Sequence, residues 1–401
     1  MKIIMISVMM PASENIRGTS ALPYYILAGR DKDIEVELYS YNLNELSSTQ
    51  MSAVSKELNI EIHLLAVPKW YNFIIHYFLP FRLLLNRPVG NYISLTESEL
   101  NTIVTKEVDG IWIYGEELSQ VSHQLTMFKR IHTLPDCESL YYYRMFGKRF
   151  LMRNKMRYWR SVFMYYKYLN MERHFDTSFN IHYHLVGKAD VNFLKEIIPG
   201  IQAHFLRHPH YQVAEPVKNV SFLSPSPKIK VLIAGQYNLY MQQDADEMVE
   251  CLRKEKNISE LKDHYVITFL GKGWEQHVKS LSSAGYEVNH IKFAPNYIKE
   301  INKHDIQITP ISIGTGTKGK VLDAIANGLL VIGSWYALEN IVVENHLSCL
   351  QYNKVSEIID FLKKIYLNPS QYIAMAEKGR QQVLKFHDNG TIAKEMFSLF
   401  Q

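Results

Sequence analysis

The chain has 401 residues, 47% of them hydrophobic and 21% charged, with a formal net charge of +4. That length outgrows a single hydrophobic core and implies two domains; the composition excludes disorder, and so small a charge gives no case for nucleic acid as a partner. The three cysteines, Cys137, Cys251 and Cys349, are spaced for neither a zinc site nor a disulfide framework, which fits a reducing, cytoplasmic compartment.

In chain order, the opening run Met1 to Met10 could pass for a short signal-peptide core. Pro11, Ala12, Ser13 and Glu14 follow it directly, and it reads as a first buried strand. No apolar stretch reaches the ~20 residues a membrane span needs. Ile34 to Tyr41, Ile60 to Val67 and Gly110 to Tyr114 continue as short runs rich in Ile and Val, the pattern of buried parallel strands joined by helices. Two stretches are rich in aromatic residues. Trp70 to Leu85 is one; Ser139 to Met171, with eight lysines and arginines and no Asp or Glu, is the other. Basic and aromatic helical stretches suit an anionic membrane surface, although aromatics at helical spacing also build cores.

Val213 to Lys228 carries Pro216, Pro225 and Pro227, with Pro209 just upstream, and reads as a linker. His208 and His210 beside it read as loop residues. Strand and helix alternation then resumes at 230–235, 265–271, 288–293, 306–311, 329–332 and 348–352. Asp244 and Asp246 are read as caps of the helix that follows them. The expected architecture is α/β, with a doubly wound N-terminal domain over 1–212, a linker over 213–228, a doubly wound C-terminal domain over 229–375, and a terminal helix over 376–401 that could cross back.

Residues 305 to 334 carry the chemistry. A strand leads into Gly314-Thr315-Gly316-Thr317, a helix from about Lys318 to Asn327 closed by Gly328, and another strand. Such a βαβ unit places a glycine loop and a helix start at the carboxyl end of the sheet, where a phosphate can approach. Lys320 and Asp323, three apart, are expected on one polar face, the lysine to neutralise phosphate and the carboxylate to accept from ribose hydroxyls. A solvated surface pair is the plain alternative.

The segment Ile308 to Ser334 resembles the donor-site signature of family 4 bacterial glycosyltransferases, of the GT-B fold. Phe269 to Gly273 and Ala234 to Asn238, with Gly235 ending the first strand of the C-terminal domain, are similar to the same family. So are Leu134 to Ser139 with Arg144, and Glu172 to Leu194. The resemblance implies that Asp323 stands for the ribose-binding glutamate and that Lys318 or Lys320 faces the diphosphate. It implies that Gly18, followed by Thr19 in place of a second glycine, approaches the phosphates, and that Ser139 and Arg144 lie on the acceptor side. Asp136 is a candidate proton acceptor there, or a turn and cap residue. Thr315 replaces the first glutamate of the wider family's pair, which leaves the sugar open.

The implied activity is retaining transfer of a sugar from a nucleoside-diphosphate sugar to a saccharide or lipid-linked acceptor in surface polysaccharide synthesis, with no metal and no cofactor beyond the donor. A GT-B nucleotide-sugar epimerase and a non-catalytic nucleotide-sugar-binding partner are the alternatives.

Overall fold

A computed structural model describes residues 1–13, 18–78, 81–146, 148, 155–214, 228–254 and 258–401. The chain forms two compact units, Met1–Pro209 with Asn389–Gln401, and His210–Asp388.

The first unit is built on a seven-stranded sheet: β1 (Lys2–Ser7), β2 (Glu35–Ser40), β3 (Glu61–Leu64), β4 (Gly110–Tyr114), β5 (Arg130–Leu134), β6 (Ile181–Leu185) and β7 (Ala203–Phe205). Their order is β3-β2-β1-β4-β5-β6-β7, and each pairing is parallel. β1 lies centrally, Ile3 pairing with Val36 on one side and Gly110 on the other, so the opening run is a buried strand with helices over both faces. The last three strands lack the expected apolar pattern because polar groups buried in them find distant partners. Arg130, fully buried, donates to Asp176 at 2.7 Å and to the Ser122 carbonyl at 2.7 Å. His184 meets the Thr133 hydroxyl at 3.1 Å.

The second unit has a six-stranded sheet: β8 (Ile229–Ala234), β9 (Tyr265–Leu270), β10 (Glu287–Ile291), β11 (Ile306–Thr309), β12 (Leu330–Ser334) and β13 (Leu350–Tyr352). The order is β10-β9-β8-β11-β12-β13, again all parallel. β11 and β12 are buried at every position, as continuous apolar runs in a doubly covered sheet should be.

The chain end differs from expectation. Pro369–Phe386 is a helix of the second unit, and a separate helix, Asn389–Ser398, belongs to the first. There Phe397 packs edge-on to Trp112, ring centroids 5.9 Å apart. Gly110 is small for the same reason: a Cβ would sit 2.4 Å from the Phe400 ring. Most of the expected linker, residues 215–227, lies outside the described residues. Val213 and Ala214 are not linker but pack on the second unit, with the Ala214 N–H donating to Asn327 at 2.9 Å. Asp244 and Asp246 lie inside the helix Gln242–Lys254 and do not cap it. Asp244 accepts from the Tyr352 hydroxyl at 2.8 Å, and Asp246 from the Tyr237 hydroxyl at 2.7 Å. His208 and His210 are loop residues, as expected.

Candidate functional site

The second unit assembles its candidate site from the ends of β8 and β11. β8 stops at Gly235, whose φ of 122° is left-handed territory for a side chain. Its carbonyl accepts from the Trp274 indole at 2.7 Å and its N–H donates to Leu270 at 2.8 Å, which fixes the turn. β11 leads into the loop 310–318. The Ser312 N–H donates to the Tyr240 carbonyl at 2.7 Å, and the Gly316 carbonyl accepts from Asn340 at 3.0 Å. Gly316 has φ 60°, and a Cβ on Gly314 would lie 2.6 Å from Cε of Lys318. The turn at Gly316 therefore favours glycine, and Gly314 leaves the space that the end of the Lys318 side chain fills. Thr315 is buried beside them and Thr317 partly so. The helix runs Gly319–Ala326, with Lys318 before it and Asn327 after it. Lys318 turns back to donate to the Thr315 carbonyl and so ties the loop to the helix start.

Lys320 and Asp323 do not form a solvated pair. Lys320 points to the end of β8, where its ammonium donates to the Ala234 carbonyl at 3.0 Å and lies 3.5 Å from the Met241 sulfur. Burial, and then the Lys318 charge, push it down to about 8. It occupies the space that glycine leaves at position 235, where a Cβ would come within 2.4 Å of the ammonium nitrogen. Asp323 is 2% exposed and accepts from the Tyr211 N–H at 3.1 Å. Burial pushes it up to about 7, against the pull of that hydrogen bond. The shared polar face is thus corrected: the two side chains diverge, one to the strand end and one to the segment 210–214. An aspartate is one methylene shorter than the glutamate of the resemblance, which keeps its carboxyl against its own helix.

Asn327 completes that attachment, donating to the Gln212 carbonyl at 2.9 Å and to the Asp323 carbonyl at 2.8 Å. Tyr297 sits near enough for the Asp323 charge to raise its phenol further, after burial has done most of the work. Neither Tyr211, Tyr297 nor Asn327 stood out in the sequence, because their role depends on partners up to 115 residues away.

In the first unit, Gly18 and Thr19 open the helix Gly18–Ala28; residues 14–17 of the same loop are outside the described residues. Arg144 lies part-buried in the last turn of the helix Glu138–Met145. Asp136 lines a cavity at the carboxyl ends of β1, β4 and β5. Ser139 is corrected from an acceptor residue to a structural one. It is fully buried, its hydroxyl donates to Glu172 and its N–H donates to the same carboxyl at 3.1 Å. Cys137 joins this network through its N–H, which donates to Asp190 at 2.9 Å.

The whole chain is similar in structure to HepE of Anabaena in complex with UDP-glucose, with 12% identity over 99% of this chain and 98% of that one and a TM-score of 0.62. It is similar to a glycosyltransferase from Rickettsia africae (12% identity, 100% and 97% covered, TM-score 0.63). A third such structure is sucrose-phosphate synthase from Thermosynechococcus elongatus (12% identity, 100% and 98% covered, TM-score 0.61). No curated protein sequence matches the chain significantly. Two parallel-sheet, doubly wound units with this likeness define the GT-B fold. Residues 242–398 match the glycosyl transferase-like family model.

Gly235→Ala tests the packing around Lys320. The added methyl meets both an unfavourable φ and the ammonium, so donor affinity should fall about tenfold or more and stability by ~1–2 kcal/mol. Calorimetric titration of UDP and a melting curve read the two effects separately.

Proposed function

We propose that the chain transfers a sugar from a nucleoside-diphosphate sugar to a saccharide or lipid-linked saccharide in surface polysaccharide synthesis, with retention of configuration and without a metal. The observation that carries this reading is Lys320, held at the end of β8 by Ala234 and admitted by Gly235, one residue into a helix that follows a glycine loop. A buried cation there, with the partial positive charge of the helix start, can take the charge that grows on a leaving diphosphate. The loop glycines let the phosphates approach the backbone. Thr315 and Thr317 belong to the loop before Lys320, and Asp323, one turn further along the helix, is the candidate for the ribose. UDP is the first nucleotide to try, since HepE of Anabaena is described in complexes with UDP and UDP-glucose.

A thermal-shift series over nucleoside diphosphates and their sugars, followed by transfer assays with the donor that binds, tests the proposal. A bound donor raises the melting temperature by mass action. No shift with any nucleotide sugar would refute donor binding.

A membrane-borne acceptor fits the surface of the first unit. The helix Lys69–His76 buries none of its residues, and Phe73, Tyr77 and Leu84 are exposed. Trp159 and Tyr166 on the helix Lys155–Glu172 are exposed too, while Tyr141 is buried and Tyr142 stacks on Tyr168. Phe150 lies outside the described residues. The two stretches adjoin: Lys167 donates to the Arg82 carbonyl, and Asn170 donates to the Asn86 carbonyl at 3.2 Å. Residues 62–96 contain no acid, nor do 139–171, so neither stretch itself carries a negative charge to oppose binding to anionic lipid headgroups. The protein should pellet with vesicles containing anionic lipid and not with neutral ones, and Trp159→Ser with Phe73→Ser should abolish pelleting. Equal recovery in the supernatant with both vesicle types would refute membrane attachment.

A further inference from the structure

The cavity in the first unit, about 80 Å³, is lined by Tyr114, Glu116, Glu117, Asp136 and Glu138 together with apolar neighbours. The sheet order explains the gathering. β4 and β5 are adjacent, so the residues just past their carboxyl ends meet. Gly115 (φ 115°) turns the chain out of β4 into a short 3-10 turn that presents Glu116 and Glu117 in succession. Glu117 is packed on Gly90, where a Cβ would lie 2.6 Å from its Cγ. Behind Glu138 stands the buried Glu172, fixed by Ser139.

A second, independent feature points to a ligand. Tyr114 is 2% exposed, lines the cavity, and its hydroxyl has no hydrogen-bond partner among the described residues. Burial, and then the charges of Asp136 and Glu117, raise this phenol. Burial, then the charges of Asp136, Glu172, Glu117 and Asp190, hold Glu138 up at about 8. So many carboxyls in a small space are stable only when they keep protons or meet a cation. Among the described residues the lining includes no lysine, arginine or histidine side chain. Ionised carboxylates only accept hydrogen bonds, and an alkylammonium offers three donors and a positive charge. The hydroxyls and acetamido group of an N-acetylated sugar offer no charge.

We infer that this cavity binds the protonated amine of an acceptor amino sugar. The inference rests on the glycosyltransferase reading and names the class of acceptor. The cavity has room for the amine-bearing edge of one ring, so the rest of the saccharide lies outside it.

Calorimetric titration of the full chain with chitosan disaccharide, with its N,N′-diacetyl counterpart and, separately, with UDP tests it. The free amine should bind about tenfold or more tightly than the diacetyl form. Glu117→Gln and Glu138→Gln should each reduce that preference about tenfold while UDP affinity stays unchanged. Tyr114→Phe, which removes one hydroxyl and no charge, serves if either glutamine variant fails to fold, and should weaken amine binding a few-fold. Equal binding of the two disaccharides, or binding of neither while UDP binds, overturns the amine assignment. Failure of UDP alone to bind would count against the donor reading and leave the amine contrast intact as a result.

Discussion

Lys320→Met is expected to lower kcat/KM for sugar transfer by about 10²–10³-fold and to leave the folded protein no less stable at pH 7. The two effects separate because the lysine's own surroundings do not favour its charge. Its ammonium is bonded to one carbonyl, that of Ala234, and burial and Lys318 hold it down at about 8. The folded state therefore binds this proton less readily than the unfolded chain does. Stability contributed by this group rises with pH between about 8 and the ordinary lysine value, and is lowest below about 8. Methionine has nearly the same shape, fills the space beside Met241 and carries no such penalty. A diphosphate reverses the balance. Two or more negative oxygens near the ammonium raise it again, so donor binding at pH 8 should take up as much as about half a proton. Titration of UDP in buffers of different ionisation enthalpy measures that uptake, and it should vanish in Lys320→Met. A variant with unchanged kcat/KM, or one with the same proton uptake as the parent, would remove Lys320 from the diphosphate site.

The second unit was the more legible of the two. All six of its strands stand near the expected places, and β8, β9, β11 and β12 carry the β-branched residues of a sheet covered on both faces. The donor segment was legible for a local reason: Gly314, Gly316, Lys318 and Lys320 fall within seven residues, and helix spacing decides which side chains turn inward. The direction each takes was not legible. Lys320 goes to Ala234, 86 residues away, and Asp323 to Tyr211, 112 residues away; no spacing rule contains those contacts. In the first unit, β5 and β6 were hidden by Arg130, His132 and His184, whose polarity reads as loop until their buried partners are known. The cavity carboxyls were missed for a related reason. Glu116, Glu117 and Glu138 look like surface charges in the sequence, and only the adjacency of β4 and β5 makes them one cluster. Ser139 shows the converse: the motif implied a place on the acceptor side, and in the fold the residue is buried and bonded to Glu172.

Asp323→Asn should stabilise the protein at pH 8 by roughly 2–4 kcal/mol and change little below about pH 4. The carboxyl is buried, and its group is raised to about 7 from the usual value near 4. The folded state binds this proton more tightly than the unfolded chain, so the stabilising contribution is complete below about pH 4 and is lost as pH rises through about 7. Asparagine keeps the acceptor for the Tyr211 N–H and has no proton to lose. Its melting temperature should hold level between pH 5 and 8 while that of the parent falls by several degrees. Asp323→Ala acts differently. It leaves the Tyr211 N–H without its partner and loosens the segment 210–214 that Asn327 also holds, so it should be about 1–3 kcal/mol less stable than Asp323→Asn at every pH. Donor affinity is the third reading. If the carboxylate accepts from ribose hydroxyls as well as from Tyr211, asparagine, with one acceptor fewer, should weaken UDP binding several-fold while the protein is more stable. If asparagine binds UDP as tightly as the parent, Asp323 is only the anchor of the segment 210–214, and the ribose is held elsewhere.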